Sequence, residues 1–248
     1  MDISRLFSEK SDIYAQSRPL YPQAFYDWVR RHARNHDTVW DCATGNGQAA
    51  LGLSAVFRNV EATDISQSQL KHAFAAPNIR YRVSPAEQTP FDGASFDMVN
   101  VAQALHWFEI PAFFAEVQRV IRPGGLLAAS CYSGHHITPE IDAVVFDSVN
   151  RAIAPYWPKE NQMCWDRYAS VDFPFQKLNT PEFVMTADWD LNHLFGYLHS
   201  WSATRRCMEA LGMTFFEDAY ARVQAVWGDS SEARKVTFPL SVTAGYIE

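Results

Sequence analysis

No uncharged apolar run in this chain approaches the roughly 18 residues that a membrane-crossing helix requires. The first twenty residues carry Asp2, Arg5, Glu9 and Lys10 and contain no apolar stretch of about 7–15 residues, so no secretory signal peptide is expected. Cysteine is scarce. Cys42, Cys131, Cys164 and Cys207 stand far apart with no CxxC, and their spacing gives neither a zinc ribbon nor a redox pair. Basic residues are in the minority, 21 Lys and Arg against 28 Asp and Glu, for a net charge of -7. Affinity for a nucleic-acid backbone comes from neutralising phosphates, so no nucleic-acid partner is expected. Internal repeats and low-complexity segments are also missing. These absences predict a soluble cytoplasmic protein without a membrane partner, a monomer or homodimer whose ligand is a small neutral or cationic molecule.

Present instead is an ordinary globular composition, with 48% hydrophobic, 20% charged and 14% aromatic residues, which excludes disorder, collagen-like repeats and coiled coil. Pro22 can open a helix whose apolar face is Phe25, Trp28 and Val29. The run Thr38-Val39-Trp40-Asp41 then reads as a strand, Cys42 to Gly47 as a tight turn, and Ala49 to Phe57 as a helix. Val60 to Asp64, Ile79 to Val83, Ser95 to Val101 and Leu126 to Cys131 read as further strands. Helices are expected over Gln67 to Ala76 and Ala112 to Ile121. Strands alternating with helices predict a doubly wound, mostly parallel α/β sheet. Beyond residue 133 the rhythm changes. Five of the eight Trp fall here among scattered prolines, and the segment reads as a helical cap. Residues 203 to 227 read as helix, and Lys235 to Ile247 as an antiparallel last strand. The expected organisation is one domain: an arm over 1–20, a cofactor-binding core over 21–132, a cap over 133–202, and C-terminal helices with a final strand over 203–248.

Gly45-Asn46-Gly47-Gln48-Ala49-Ala50 fits G-x-G-x-x-A, and Asp64 follows Gly45 by 19 residues at the end of the next strand. Glycines let backbone approach a ligand, and a carboxylate after the second strand suits a ribose diol. Asp41 discriminates between nucleoside ligands. It precedes the turn where a dinucleotide places its pyrophosphate, and like charges about 4 Å apart in a partly dry site repel by several kcal/mol. S-adenosylmethionine brings an ammonium and a sulfonium instead. Helix capping is the plainer role available to Asp41 and Asp64.

These residues resemble the class I S-adenosylmethionine-dependent methyltransferases over roughly residues 7 to 132. The family's first motif is Asp41-Cys42-Ala43-Thr44-Gly45-Asn46-Gly47, with Ala43 where glycine is usual; a negative φ at Ala43 is expected to keep the turn intact. The second-strand acid falls on Asp64, followed by Ile65. Pro85-Ala86-Glu87-Gln88-Thr89-Pro90-Phe91 matches the third element, and Arg119-Val120-Ile121-Arg122-Pro123-Gly124-Gly125 the entry to the fifth strand. A narrower resemblance, to trans-aconitate methyltransferase-like small-molecule enzymes, rests on Gln103-Ala104-Leu105-His106-Trp107, on Tyr197 to Ala203, and on the arm with Tyr14 and Arg18. The resemblance implies methyl transfer from S-adenosylmethionine to a small molecule, with a carboxylate among the acceptors. It implies cofactor contacts from Tyr14, Arg18, Asp41, Ala43, Gly45, Gly47, Asp64, Ile65, Ala86, Glu87, Gln103 and Ala104.

His106, after the fourth strand, is the candidate catalytic base, though displacement onto a carboxylate requires only alignment and exclusion of water. Trp107, Trp201 and Arg205 are candidate substrate contacts. His135 and His136 read as solvated loop residues, and no metal is expected. An NAD-dependent oxidoreductase and a non-catalytic S-adenosylmethionine-binding protein remain as competing readings.

Overall fold

The computed structural model describes residues 18–247. Tyr14, and with it most of the expected arm, lies outside the described residues. Helix α1 (Gln23–His32) begins after Pro22, whose extended backbone ends the lead-in, and it buries Phe25, Tyr26, Trp28 and Val29. Then follow β1 (Thr38–Cys42), α2 (Gln48–Leu53), β2 (Asn59–Asp64), the single turn α3 (Gln67–Leu70) and β3 (Ile79–Val83). After β4 (Phe96–Ala102) come a 3-10 turn (Leu105–Trp107), α4 (Ile110–Val120) and β5 (Ile121–Tyr132).

Parallel pairing joins β3 to β2, β2 to β1, β1 to β4 and β4 to β5, giving the order β3-β2-β1-β4-β5. The chain winds outward from β1 to β3, then crosses back to place β4 on the other side of β1. The carboxyl ends of β1 and β4 therefore flank the crevice in which open α/β sheets hold ligands. Both strands are buried almost throughout, as expected where helices cover the two faces of a parallel sheet.

Apart from short helical turns between residues 146 and 161, the remaining elements are α5 (Pro139–Val145), α6 (Gln162–Trp165), β6 (Gln176–Lys177), β7 (Phe183–Trp189), α7 (Leu191–Ser200), α8 (Ser202–Leu211), α9 (Thr214–Trp227) and β8 (Arg234–Tyr246). β8 runs antiparallel to β5, from Tyr132↔Leu240 to Leu126↔Tyr246, and pairs also with β6 and β7. The expected last strand is thus present.

One expectation is corrected. The region read as a helical cap also contains strands, β6 and β7; in β7 Phe183, Met185 and Trp189 turn inward while Val184 and Thr186 face outward. Residues 203 to 227, read as helix, divide into α8 and α9 where Gly212 adopts φ +82° just after α8 and stops it.

Two compact units can be distinguished by internal contacts. One comprises Tyr21–Ser133, Gln162–Val184 and residues 239–247. It contains β1 to β6, and one cluster in it joins Trp40, Phe96, Phe113, Val117 and Leu127 to Cys164, Tyr168 and Phe173. The other comprises Gly134–Asn161 and Met185–Phe238 with residues 18–20. There Trp189, Tyr197 and Phe238 pack with centroids 5.1 to 5.6 Å apart.

Candidate active site

The turn after β1 is built from its own hydrogen bonds. The Gly47 N–H donates to the Thr44 carbonyl at 2.9 Å, and the Thr44 N–H donates to the Thr63 carbonyl at 2.9 Å, which fastens the turn to β2. Gly45 and Gly47 both take left-handed φ, +59° and +81°. Their surroundings differ. A methyl at Gly45 would meet no atom within 4 Å, so backbone is open to a ligand on that side, whereas a methyl at Gly47 would lie 2.2 Å from the Tyr81 hydroxyl. Gly47 is therefore required by packing against Tyr81.

Ala43 adopts φ +53°. The expected negative φ is overturned, and the position keeps the left-handed geometry for which glycine is suited, at a cost of about 1–2 kcal/mol for a residue with a Cβ. Gln103, on the other side of the crevice, is left-handed too, at φ +58°. Its side chain is committed to β5: the amide Nε2 donates to the Tyr132 carbonyl at 3.0 Å and Oε1 accepts from the Tyr132 N–H at 2.8 Å. Strained non-glycine backbone thus borders the switch point from both strands, where such strain is usually tied to function.

Asp41 is wholly buried. Its Oδ2 accepts from the Thr44 hydroxyl at 2.5 Å and its Oδ1 from the Asn100 amide on β4 at 2.7 Å. Burial nevertheless pushes its carboxyl up to about 6. Among the described residues no cation is one of its hydrogen-bond partners. The Asn100 Oδ1 beside it is buried and accepts no hydrogen bond among the described residues.

Asp64 has a structural task as well as a site position. Its Oδ2 accepts from the Gly45 N–H at 2.9 Å and its Oδ1 from the Ser66 N–H at 2.8 Å. The Gln69 N–H is capped by the Ser66 hydroxyl, so Asp64 clips the glycine turn to the next turn rather than capping α3 itself. Next to it Ile65 is 76% exposed, a sec-butyl surface left in water at the strand end. Ala86 is buried, and Glu87 Oε1 accepts from the Glu109 N–H at 3.0 Å. Ala104 is buried at the start of the 3-10 turn, and Trp107 is exposed at its end.

His106 is buried, and its Nδ1 lies 3.0 Å from the Cys164 sulfur and 3.4 Å from the Tyr168 hydroxyl. Nothing in the sequence separates Cys164 and Tyr168 from other loop residues, and they lie about 60 positions away. Asn100 was likewise missed: in the sequence it is only one residue of the fourth strand, although a lone amide in a buried parallel strand is itself a signal.

In the other unit Trp201 packs on Tyr197 and Trp157, and Arg205 is exposed on α8. Arg18 is exposed. The expectation of a solvated His135 is corrected. It is buried beside Tyr197, Trp201 and Phe238, and burial pushes its imidazole down to about 4. Among the described residues no group of three or more His, Cys, Asp or Glu is arranged to hold a metal, and no helix is long and apolar enough to cross a membrane.

A family profile described as a methyltransferase domain matches residues 40–129. A methyltransferase-named protein of Dictyostelium discoideum is 30% identical over 203 residues, 79% of this chain and 76% of the relative. This chain belongs to the class I methyltransferases. A solved structure described as a type II methyltransferase from Anaeromyxobacter dehalogenans superimposes with a TM-score of 0.87 at 35% identity, over 92% of this chain and 97% of that one. Uncharacterized methyltransferases of Mycobacterium tuberculosis are 35% identical over 127 residues, and the match spans about half of them, 51%. The methyltransferase is therefore an enzyme of known fold class whose acceptor the relatives' names leave open.

Proposed function

We propose that the methyltransferase binds S-adenosylmethionine at the β1/β4 switch point and transfers its methyl group to a small-molecule acceptor, in the manner of the trans-aconitate methyltransferase-like branch. The observation that carries this reading is the acidic, strained crevice: Asp41, the unpaired Asn100 Oδ1 and Asp64 around the open side of Gly45. The residues fit the cofactor. A buried carboxylate with no cationic partner among the described residues favours a cationic ligand over a pyrophosphate, which disfavours a dinucleotide. Asp64, already held by two N–H groups, has lone pairs left for a ribose diol. Exposed Ile65 offers an apolar surface to the base, with Ala86 and Glu87 beyond it.

When bound, the cofactor supplies an electrophilic methyl on sulfur. Gln103 and Ala104 form the rim beside β4, and the exposed Trp107 ring offers an apolar surface next to it. Alignment and dryness are the chief requirements of a direct displacement, and a carboxylate acceptor needs no base. For a hydroxyl or amine acceptor, His106 is the group placed to receive a proton.

The test is transfer of isotopically labelled methyl from S-adenosylmethionine to a panel of small carboxylic acids, phenols and amines. Label in a small-molecule product is the expected outcome. Label only in protein or nucleic acid, or none with any acceptor although the cofactor binds, contradicts it.

A further inference from the structure

Beneath the carboxyl ends of β4 and β5 lies a cluster of four titratable side chains. Cys131, the penultimate residue of β5, directs its sulfur toward Cys164, 3.8 Å from the Cys164 carbonyl oxygen. The Cys164 sulfur in turn lies 3.0 Å from His106 Nδ1 and 4.0 Å from the Tyr168 hydroxyl. Cys131 and Cys164 are 1% and 2% exposed. The backbone that brings Tyr168 in is strained: Arg167 and Tyr168 are consecutive left-handed residues, φ +55° and +59°, directly after α6. Two such residues in succession persist only where the surroundings hold them, and here they hold a phenol against a thiol and an imidazole.

The donors around Cys164 act in one direction. The Cys131 thiol is the largest influence, and with His106 and Tyr168 it outweighs burial, bringing the Cys164 thiol down to about 5. Cys131, as the donor, is raised far above the ordinary thiol range. The two sulfurs are thus pushed in opposite directions, Cys164 toward the thiolate and Cys131 toward the protonated thiol. A lowered thiol next to a second cysteine suits oxidation followed by resolution, and the near-complete burial of both restricts the oxidant to one small enough to enter the cluster.

We propose that Cys131 and Cys164 are an oxidant-sensitive dithiol, in which a hydroperoxide converts Cys164 to a sulfenic acid that Cys131 closes to an intramolecular disulfide. In the first step the Cys164 sulfur attacks a peroxide oxygen. An S–O bond forms, the O–O bond breaks, and the departing oxygen takes the proton given up by the Cys164 thiol and leaves as water or alcohol. In the second, the Cys131 sulfur forms the S–S bond as the S–O bond breaks, and its proton leaves with the hydroxide as water. Two thiols give two electrons to one hydroperoxide. Closure withdraws the Cys164 sulfur from His106 Nδ1; any consequence for methyl transfer rests on the site reading above, whereas the chemistry of the pair does not.

The experiment is a peptide map of the intact protein after graded hydrogen peroxide, with glutathione as the reference thiol. A linked Cys131–Cys164 peptide is expected at peroxide levels that oxidise glutathione, reversed by dithiothreitol, with two of the four free thiols lost and Cys42 and Cys207 unmodified. Cys131→Ser is expected to leave Cys164 as a sulfenic acid trapped by dimedone. Cys164→Ser is expected to leave Cys131 unmodified. No linked peptide when glutathione is fully oxidised, prior oxidation of Cys42 or Cys207, or passage of wild-type Cys164 to sulfinic acid without linkage would overturn the proposal. The wild-type map decides even if a variant fails to fold.

Discussion

At the residue scale, Asp41 carries the most consequence. Its carboxyl is raised from 3.8 to about 6, so the folded state holds its proton more tightly than the unfolded chain does. Between those two values the unfolded chain has ionised and the folded one has not. Asp41 therefore removes stability as pH rises from about 4 to about 6, by a total of about 3 kcal/mol, and the loss stays constant above. An added cation lowers that value again. We expect Asp41→Asn to raise the unliganded protein's stability at pH 7 by roughly 1–2 kcal/mol in urea unfolding. The same variant should weaken S-adenosylhomocysteine binding tenfold or more, about 1.4 kcal/mol, in calorimetry. Unchanged affinity would remove Asp41 from the cofactor's electrostatics. Ala43 gives the converse test. Ala43→Gly relieves left-handed strain, partly offset by glycine's unfolded-chain entropy and by the lost methyl packing, and is expected to stabilise by roughly 0.5 kcal/mol. A loss of that size instead would mean that the methyl's packing outweighs the strain. Sequence motif showed where Asp41 and Ala43 stand; the sign of φ at Ala43 was not legible, because it depends on how Thr44 is tied to Thr63 across the strands.

At the scale of elements, five parallel strands were legible because each is a short buried run closed by turn residues. β7 was not, since proline-rich flanks hid its alternation, and the point where α8 gives way to α9 was not, since a lone glycine, Gly212, inside a helical stretch does not fix a break. The motif ending β4–α4 shows a different limit. Its residues are recognisable in sequence, yet Arg119 and Arg122 serve architecture. Glu116 on α4 accepts from the Thr89 N–H and hydroxyl at 2.8 and 2.5 Å and from Arg119 at 2.7 and 2.8 Å, which ties the loop before β4 to the helix after it. At the start of β4, Asp97 accepts from the Asp37 and Thr38 N–H groups and from Arg122 at 2.6 Å. Glu116 is held below the usual carboxylate range, against its own burial, by these hydrogen bonds, with Arg119 foremost. Its contribution is therefore present above about 4.5 and lost as pH falls through the lower folded value. Glu116→Gln should cost roughly 1.5–3 kcal/mol, the range for hydrogen bonds to a charged group, and flatten the acid limb of the stability–pH curve. An unaltered acid limb would show that the network carries no linkage.

At the scale of the whole molecule, the order β3-β2-β1-β4-β5 turns separate sequence motifs into one crevice. Asp41 and Asn100 lie 59 positions apart and meet because β1 and β4 are neighbours in the sheet. No local pattern could announce that pairing. Asp64 stands between the scales: Asp64→Ala should cost about 2–3 kcal/mol of cofactor affinity and, because the Gly45 and Ser66 N–H groups lose their acceptor, about 1–2 kcal/mol of stability. Earlier melting with unchanged affinity would leave it a structural clip alone. The central claim, that the switch point is built for a cationic nucleoside rather than a dinucleotide, is tested most directly by isothermal calorimetry of the purified protein with S-adenosylhomocysteine, S-adenosylmethionine and NAD in parallel. Saturable binding of the first two, with none for NAD, is the predicted result; binding of NAD and neither sulfur compound would contradict it.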